Sequence, residues 1–328
     1  MSIKITRPGI MSTLQDAGRT GYRHIGIGSG GAMDRFALEL ANYLVGNDDK
    51  AAVIEMHFPA PEIIVELDTM MALTGADFSA TLDGMPLPPW RAFTVKKDAV
   101  LKFVKPILGA RAYLAVSGGW QAQKWLGSYS TQLRLGAGGH AGRALQKDDR
   151  ISFLSNADSF TESKILPWHI SQAELDSFYQ PLDQIRCVQG PEYELLDDTA
   201  KYNFEKQVFI ISQQSDRMGY RLDSPPVMET PPAEMISSAT DAGTIQILPG
   251  GRCIILMADH QTTGGYPRIA SVIKSDLPSL AQAGPGQKIR FKMIGLKEAE
   301  DHYINMKRRM DEIKTACYLH LKKWTTAR

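Results

Sequence analysis

Short apolar runs, rich in β-branched and aromatic residues, recur along the whole chain and are separated by Gly, Asp or Pro. In the first half they lie at 62–67, 70–74, 91–95, 100–104 and 111–117, and in the second half at 207–212, 244–248, 253–258, 268–273 and 288–293. Such spacing is typical of curved antiparallel sheets and barrels, whereas a parallel sheet would alternate its strands with regular helices. The pattern therefore predicts a mainly β protein with some α-helix.

Two segments show helical periodicity instead, with apolar residues three and four positions apart. In 34–47, Asp34 is placed to cap the start of a helix and Gly46 to end it. In the tail, 296–328, apolar residues form a single stripe with charges elsewhere. The stripe consists of Leu296, Ala299, Tyr303, Met306, Met310, Ile313 and Cys317. We expect this tail helix to pack on its own domain, in preference to a partner's helix.

The domain organisation follows from length and from one change in composition. The 328 residues are enough for about two domains. The polar, Pro-containing segment 156–183 separates the two strand-rich halves and is predicted to be a linker. The chain is accordingly divided into an N-terminal β-rich domain at 1–155, a β-barrel domain at 184–295 and a C-terminal helix at 296–328.

The two halves also share a local pattern. Segments 16–25 and 259–269 each run from an Asp through polar residues to a Gly-Tyr pair. Each is followed by a further Asp, Asp34 or Asp276, that is placed to cap an apolar helix. The echo is either chance or the trace of a duplication, which would give two similar domains with a polar loop in the same place.

The glycine-rich segment 26–34 fits the G-x-G-x-x-G pattern through Gly26, Gly28 and Gly31. A dinucleotide-binding turn would follow a buried strand, but the preceding residues 19–24 are polar and interrupted by a glycine. A predicted helix does follow the glycines, but the strand that should precede them is missing. The alternatives are a turn that needs positive φ, or a loop whose N–H groups hold an anion beside a helix start.

Charge and composition exclude several classes of protein. The 37 Lys and Arg residues are balanced by 36 Asp and Glu, so nothing indicates nucleic-acid or membrane-surface binding. The amino terminus has no signal-peptide pattern, and the apolar runs are too short to span a bilayer. We therefore expect a soluble, cytoplasmic protein.

Familiar catalytic and metal-binding motifs are missing from the sequence. The three cysteines are far apart, which argues against a disulfide framework or a Cys-x-x-Cys site. The seven histidines form no His-x-His or His-Glu-x-x-His pattern, so no metal site is predicted. Neither a phosphate-binding P-loop nor a Gly-x-Ser-x-Gly elbow occurs.

Two arginines in the second half are candidates for binding an anion. Arg217 and Arg221 are four residues apart, and an extended segment would place both side chains on one face. Two guanidinium groups on one face can grip a carboxylate or phosphate. The alternative is a pair of ordinary surface salt bridges.

Two polar loops are the other candidate sites. The loop 258–267 directly follows an apolar strand and is dense in hydrogen-bonding groups, although a plain polar turn is the alternative. The loop 13–22 and the segment 126–131 have the same style, and with Asp34 we expect their polar groups to converge. The candidate residues in these segments are Gln15, Asp16, Arg19, Ser128, Asp259, Gln261, Thr262, Gly264, Gly265 and Tyr266.

Long stretches of the chain resemble one known family. They include "TLQDAGRTGYRHIGIGSGGAMDRFALELANYLVGN", "RAYLAVSGGW", "SDRMGYRL" and "ADHQTTGGYPRIASVIKSDLPSLAQAGPGQKIRF". These are similar to the allophanate hydrolase subunit 2 family, which includes the C-type subunit of 5-oxoprolinase, an antagonist of a sporulation kinase inhibitor, and half of the carboxyltransferase domain of urea carboxylase. The resemblance runs in order over residues 3–295.

The resemblance implies a fold, partners and an activity. It implies two cyclophilin-like β-barrel domains and a subunit 1-like partner, the B-type protein of 5-oxoprolinase, with the active site near their contact. For oxoprolinase members it implies ATP-dependent opening of 5-oxoproline to L-glutamate together with a third subunit, the A-type protein of 5-oxoprolinase. ATP and Mg²⁺ would bind in the assembled complex, on a partner or shared with one. The chain has no Ala-Met-Lys-Met attachment site, so no covalent biotin is expected.

In this interpretation the polar residues receive roles. Cations would neutralise phosphate charge, and donors would orient the lactam. Arg217 and Arg221 are assigned to anion contacts. Catalytic candidates are Asp16, Asp34 and Asp259, as bases or ligands of an ion, with Gln261. The remaining candidates, for binding and orienting substrate or anion, are Gln15, Arg19, Ser128, Thr262, Gly264, Gly265 and Tyr266.

Three departures from the family pattern leave the substrate open. Tyr129 stands where an arginine is expected, Ser238 where a glutamate is expected, and His260 where an arginine is usual. Two alternatives to the oxoprolinase interpretation therefore remain. One is a carboxyltransferase component that acts on a urea- or amide-like acceptor with biotin carried by another protein. The other is a non-catalytic regulator that sequesters a partner.

Overall fold

The computed structural model describes residues 1–154, 160–228 and 235–326. The chain divides into two units. The first unit contains Met1–Arg19, Gly30–Gln172 and Arg309–Arg328, and the second contains Thr20–Ser29 and Ala173–Arg308. Strands outnumber helices in the described parts, which confirms the prediction of a mainly β protein. The division between the units at Gln172 falls inside the segment 156–183 that was predicted to be a linker.

Within the described residues, the first unit contains two six-stranded sheets, one complete helix and the end of the long C-terminal helix. Its strands are β1 (Ser2–Arg7), β2 (Ser12–Gln15), β3 (Val53–Met56), β4 (Glu62–Val65), β5 (Thr69–Asp77), β6 (Ala80–Leu82), β7 (Met85–Pro86), β8 (Arg91–Val95), β9 (Val100–Phe103), β10 (Leu108–Val116), β11 (Arg150–Ser152) and β12 (Lys164–His169), and its helix is α1 (Arg35–Val45). One sheet has the order β11-β1-β4-β9-β6-β7 and the other β12-β8-β5-β10-β3-β2. All their pairings are antiparallel.

The core of the first unit lies between these two sheets. Strands β1 and β4 alternate buried and partly exposed positions, as strands do when only one face meets a core. Strand β5 is buried along nearly its whole length because α1 covers its other face. The Thr74 hydroxyl there donates a hydrogen bond of 2.7 Å to the Ala37 carbonyl of the helix. Apolar side chains from both sheets form one continuous cluster.

The second unit is built around an eight-stranded sheet. Its elements are α2 (Gln172–Phe178), which begins at the last residue of the first unit, β13 (Ile185–Gln189), α3 (Asp198–Lys206), β14 (Phe209–Ile211), β15 (Gly219–Asp223), β16 (Ser238–Ala239), β17 (Thr244–Ile247), β18 (Cys253–Leu256), β19 (Thr263–Gly264), β20 (Arg268–Val272), α4 (Leu277–Ala281), β21 (Lys288–Ile289) and β22 (Phe291–Met293). The last helix, α5 (Leu296–Thr326), begins in the second unit and belongs to the first unit from Arg309 onward. The sheet has the order β21-β14-β15-β18-β17-β20-β13-β22. Only Arg290 separates its two edge strands, so the ends of the sheet meet and form a nearly closed barrel.

The predicted elements agree well with the observed ones. Each of the ten predicted apolar runs contains a strand. Within 156–183, residues 156–159 lie outside the described residues, and the rest contains β12 and α2. Strand β12 pairs with β8 of the first unit, so that part of the segment is regular structure.

The predicted tail helix forms, but its apolar stripe is only partly buried. Met310, Ile313 and Cys317 are buried on one face of α5. Leu296 and Tyr303, which the stripe also includes, are exposed. No helix in the described ranges is long and apolar enough to cross a membrane, because α5, the longest, carries charges throughout.

Helix α1 begins and ends where the sequence places its caps. The Asp34 carboxylate accepts a hydrogen bond of 3.0 Å from the Ala37 N–H, and Gly46 ends the helix in the left-handed conformation. The second predicted cap is wrong. Asp276 precedes α4, but its carboxylate makes no capping bond and accepts hydrogen bonds from the Arg186 backbone N–H and guanidinium instead.

The glycine segment is a turn and not a dinucleotide-binding motif. A 3-10 helix, Arg23–Ile25, precedes it in place of a buried strand. Gly26, Gly30 and Gly31 all have positive φ, which confirms the alternative that the turn itself requires glycine. A Cβ on Gly31 would also lie 2.9 Å from the backbone nitrogen of Gly18.

Gly31→Ala should destabilise the fold by about 2–4 kcal/mol, because it combines backbone strain with overlap against the 16–18 backbone. Gly21→Ala is the matched control, since Gly21 has a φ of +90° but no atom within 4 Å of its added Cβ. Strain alone should cost about 1 kcal/mol there. Urea unfolding of both variants measures the difference, and equal losses would contradict the close-packing argument.

Candidate functional site

Asp16 is the centre of a buried hydrogen-bond cluster in the first unit. Its carboxylate accepts hydrogen bonds of 2.6 Å from the hydroxyls of Ser128 and Ser130 and from the Tyr129 N–H. It also accepts a bond of 2.8 Å from the Gly18 N–H. The expected meeting of the 13–22 loop with the 126–131 segment is therefore observed. The carboxylate is fully occupied by these donors, so its catalytic role stays a prediction.

Arg19 and Gln15 bind the backbone of the same segment, next to this cluster. The Arg19 guanidinium donates to the Ser130 carbonyl at 2.7 Å and lies 4.9 Å from the centre of the Trp125 ring. The Gln15 amide donates to the Thr13 hydroxyl at 3.0 Å and the Thr131 carbonyl at 3.3 Å. Both side chains are buried. They hold the loop together and do not present a surface to solvent.

Asp34 is held in a second buried network of the first unit, beside the start of α1. The Tyr113 hydroxyl accepts from the Asp34 N–H and donates to the Glu55 carboxylate, both at 2.9 Å. Glu55 also accepts from the Met33 N–H at 2.8 Å. Burial, with the charges of Glu55 and Asp34, raises the pKa of Tyr113 well above its usual range, so the phenol stays protonated. This network fixes the helix start to strands β3 and β10.

Asp259 forms a buried ion pair with Arg217 in the second unit. The guanidinium donates from Nε to Oδ2 at 2.8 Å and from Nη2 to Oδ1 at 3.2 Å, a two-pronged contact. The Asp259 N–H also donates to the Arg217 carbonyl at 2.8 Å. The side chains are only 5% and 7% exposed. Each charge therefore neutralises the other away from water.

The expected shared face of Arg217 and Arg221 is not observed. Arg217 precedes strand β15, which begins at Gly219, so the alternation of the strand does not extend to it. Arg217 is buried, whereas Arg221 is exposed in the strand. A clamp from these two guanidinium groups is therefore a wrong expectation.

The loop 258–267 is tied to strand β16 and the residues after it. The Thr240 hydroxyl donates to the Gln261 carbonyl at 2.6 Å, and the Thr240 N–H donates to the Thr262 carbonyl at 3.1 Å. Gln261 itself is exposed, Thr262 is buried, and Tyr266 is half-buried. Gly264 pairs with Ser238 in the short β16–β19 ladder.

Close packing explains the glycine at position 264. A Cβ there would lie 2.8 Å from the Gln246 amide nitrogen. At Gly265 an added Cβ would lie 2.9 Å from the Met235 carbonyl oxygen. The two glycines allow the chain to approach neighbouring protein atoms, and their assignment to substrate binding stays a prediction.

His260 replaces an expected arginine and is a buried, neutral group. Its Nδ1 donates to the Gln261 carbonyl at 2.6 Å, because a carbonyl can only accept. Its Nε2 lies 3.8 Å from the Asp241 carboxylate. Burial lowers its pKa, although the bond to Gln261 and the charge of Asp241 act in the opposite direction. Of the other departures, Tyr129 contributes its N–H to Asp16, and Ser238 lies in β16.

A pocket of about 330 Å³ lies in the second unit, beside the 258–267 loop. Its volume is at the lower end of the range for small-molecule sites. It is lined by Arg23, Gln189, Gly190, Pro191, Ala239, Thr240, Asp241, Thr244, Arg268, Ala270 and Ser271. We call it the Arg23 pocket. None of the candidate residues from the sequence lines it, although Thr240 connects it to Gln261 and Thr262.

The two arginines of the Arg23 pocket differ in how they are bound. Arg268 donates to Glu192 through Nε at 3.0 Å and Nη2 at 2.8 Å, and to the Ala239 carbonyl through Nη1 at 2.7 Å. Arg23 donates from Nη2 to the Thr240 carbonyl, and its Nη1 lies 3.6 Å from Asp241. Arg23 and Asp241 are 37% and 62% exposed, so this second pair is weak.

A signal for this pocket was present in the sequence. The two echoed segments 16–25 and 259–269 each place an arginine just after a Gly-Tyr pair, and these are Arg23 and Arg268. The structure brings both to the same pocket. The shared pattern pointed to the aspartates of the two segments as site residues. The residues that line one pocket are instead the two arginines.

The comparisons with known proteins agree on a family. The family model described as "Carboxyltransferase domain, subdomain A and B" matches residues 25–293. The chain is similar to the C-type subunit of 5-oxoprolinase from Escherichia coli, with 39% identity over 90% of this chain and 93% of that protein. The protein of the same name from Haemophilus influenzae is 36% identical over 88% of this chain and 90% of its own.

A solved structure gives the same result at the level of the fold. The urea carboxylase of Kluyveromyces lactis superimposes with a TM-score of 0.86 and 25% identity. The match covers 95% of this chain and 29% of the urea carboxylase. This chain is thus similar to one part of that longer enzyme.

Arg217→Ala should destabilise the fold by about 3–5 kcal/mol, because it leaves Asp259 buried without its counter-charge. Arg221→Ala, at an exposed position, should change stability by less than about 0.5 kcal/mol. The double variant Arg217→Met with Asp259→Leu should recover most of the loss, since no unpaired charge remains. Urea unfolding of the three proteins checks this. Equal effects of the two single variants would show that the ion pair is not buried.

Asp34→Ala should cost about 1 kcal/mol of stability through loss of the helix cap. Asp34→Asn should cost less, because the Asn side chain retains an oxygen that accepts from the Ala37 N–H. A capping role also predicts that Asp34→Asn retains turnover in the assembled enzyme. Thermal unfolding and turnover measured on both variants separate the roles, and an inactive but stable Asp34→Asn would restore the carboxylate as a catalytic group.

Proposed function

Since this chain belongs to the carboxyltransferase-domain family, we propose that it is the C-type subunit of a multi-subunit, ATP-dependent 5-oxoprolinase. The reaction is the opening of 5-oxoproline, a cyclic amide, to L-glutamate. The relatives that support this are named as subunits, so the chain is proposed to act only with partner proteins. Those partners are the B-type and A-type proteins of such an enzyme.

The observation that carries this proposal is the share of each protein that the alignments cover. The alignment with the Escherichia coli protein extends over 90% of this chain and 93% of that protein. Against urea carboxylase the chain covers only 29% of the longer polypeptide. The identity is also higher to the two oxoprolinase subunits, at 39% and 36%, than to the urea carboxylase, at 25%.

The candidate carboxylates do not fit a site for Mg²⁺. Magnesium is held by carboxylates that have free oxygens. Asp16 is bound by four protein donors, Asp34 caps α1, and Asp259 is paired with Arg217. Within the described ranges no three His, Cys, Asp or Glu side chains are grouped for a metal. We therefore assign Mg²⁺, and the ATP that it accompanies, to a partner protein.

The contribution of this chain is then to bind and orient a small amide. A lactam carbonyl is a poor electrophile, so hydrogen-bond donors directed at its oxygen favour attack at the carbon. The second unit offers such donors around the Arg23 pocket, including the hydroxyl groups of Thr244 and Ser271. A bound substrate would also be removed from competing water.

A second candidate function is supported by the fold comparison. The TM-score of 0.86 to urea carboxylase favours a carboxyltransferase component that acts on a urea- or amide-like acceptor. Biotin would then be carried by another protein. The two functions share a small planar amide as substrate, and they differ in the partner and the cofactor.

The test is reconstitution with the A-type and B-type proteins encoded in the same genome. The complete set should release phosphate and form L-glutamate only when 5-oxoproline is added. Omission of any one protein should abolish the formation of both products. The isolated chain should be inactive because its candidate carboxylates are bound by other groups of the protein.

Three results would contradict the proposal. High turnover by the isolated chain would show that the site is complete within it. A biotin-carrying protein that co-purifies with the chain, together with bicarbonate-dependent carboxylation of urea, would support the carboxyltransferase instead. A stable complex without turnover of either substrate would support a regulator.

A further inference from the structure

The Arg23 pocket contains one cation that the protein holds only loosely. Arg23 lies in the 3-10 helix Arg23–Ile25, at the pocket wall. Its one hydrogen bond among the described residues goes to the Thr240 carbonyl, which is neutral. Its distance of 3.6 Å from Asp241 is longer than a hydrogen bond, and Asp241 is mostly exposed. Donor groups of the guanidinium are therefore available to a ligand.

Arg268 is held more firmly than Arg23, because each of its three nitrogens donates a hydrogen bond to the protein. Two of its nitrogens are bound to Glu192 and the third to the Ala239 carbonyl. Hydrogen bonding to Glu192 raises the pKa of Arg268 and lowers that of Glu192, so the pair is stable and neutral as a unit. Arg268 thus forms a rigid wall, and a ligand's negative charge has Arg23 as its partner.

The rest of the pocket suits an uncharged polar group on a small apolar frame. Thr244 is buried, and its hydroxyl accepts from the Asp241 N–H at 3.1 Å, which leaves the hydroxyl proton to donate. Gln189 is exposed at the end of β13 and brings a carboxamide that can both donate and accept. The Ser271 hydroxyl is another donor and acceptor. Pro191 and Ala270 provide the apolar part of the lining.

We propose that the Arg23 pocket binds a small carboxylate that also carries an amide, with Arg23 on the carboxylate and Gln189, Thr244 and Ser271 on the amide. A guanidinium matches a carboxylate with two parallel hydrogen bonds, and a ligand carboxylate inside the pocket replaces the exposed Asp241 as its partner. The choice of 5-oxoproline as the member of this class rests on the proposed function. The pocket itself rests on the geometry of the second unit.

The experiment measures binding to the full-length chain by calorimetry and saturation-transfer NMR. Three probes share a five-membered ring: 5-oxoproline has carboxylate and amide, 2-pyrrolidinone has only the amide, and cyclopentanecarboxylate has only the carboxylate. We expect 5-oxoproline to bind more tightly than either of the others. Binding of 5-oxoproline that is equal to or weaker than that of both, or absent, would overturn the proposal.

Variants then separate the two halves of the pocket. Arg23→Gln should weaken 5-oxoproline binding about tenfold to a hundredfold, as loss of a charge-assisted contact does, and should leave 2-pyrrolidinone binding unchanged. Ser271→Leu, which fills the pocket, should remove both. His24→Ala is the matched control, since His24 is the exposed neighbour of Arg23 and does not line the pocket. Thermal unfolding confirms that each variant is folded.

A failure of the proposed binding pocket can be distinguished from a failure of the proposed function. Unchanged 5-oxoproline affinity in folded Arg23→Gln overturns the pocket, even when the reconstituted enzyme turns over. Selective loss in Arg23→Gln supports the pocket, even when reconstitution gives no phosphate release and the proposed function fails. In an active complex the same variant should raise KM for 5-oxoproline, and an unchanged KM counts against the pocket.

Discussion

A buried carboxylate must be satisfied by donors, and the polar loops of this protein are arranged around that requirement. In the first unit, Asp16 draws the 126–131 segment onto the loop after β2 through two serine hydroxyls and a backbone N–H. The cost of burying that charge without these donors would be several kcal/mol. The long, irregular segment that contains Ser128 and Ser130 therefore has a fixed place, although few strands run through it.

In the second unit, buried carboxylates are also satisfied by donors, but the donors are arginine side chains. Asp259 is satisfied by the Arg217 guanidinium, and Glu192 by that of Arg268. In each case an arginine that appears available in the sequence is bound to a carboxylate in the fold. Arg23 is the contrast, because its acidic neighbour Asp241 is exposed and at 3.6 Å. Differences in pairing, more than in residue type, decide which guanidinium group can meet a ligand.

The difference between paired and loosely held arginines also provides a physical basis for the family resemblance. The match to 5-oxoprolinase subunits and to part of a urea carboxylase joins enzymes whose names point to small, planar amides. A pocket with one loosely held cation, several neutral hydrogen-bonding groups and a small apolar wall is suited to such molecules. Glu192 helps to build this pocket, because its carboxylate holds the Arg268 side chain in the wall.

The sequence by itself determined about half of the strands, the cap and end of α1 and the family, and it offered the glycine turn as one of several alternatives. These features depend on neighbours within a few residues: alternation sets the buried face of a strand, Asp34 bonds to Ala37, and Gly31 needs positive φ. Only the tertiary structure decided the partners of the charged groups. Asp16 and Ser128 are hydrogen-bonded although they are 112 residues apart in the sequence. The spacing of Arg217 and Arg221 would place both side chains on one face only if both residues lay in the same strand, but Arg217 precedes strand β15. Long-range pairing fixes which charges are neutralised, and no local pattern encodes it.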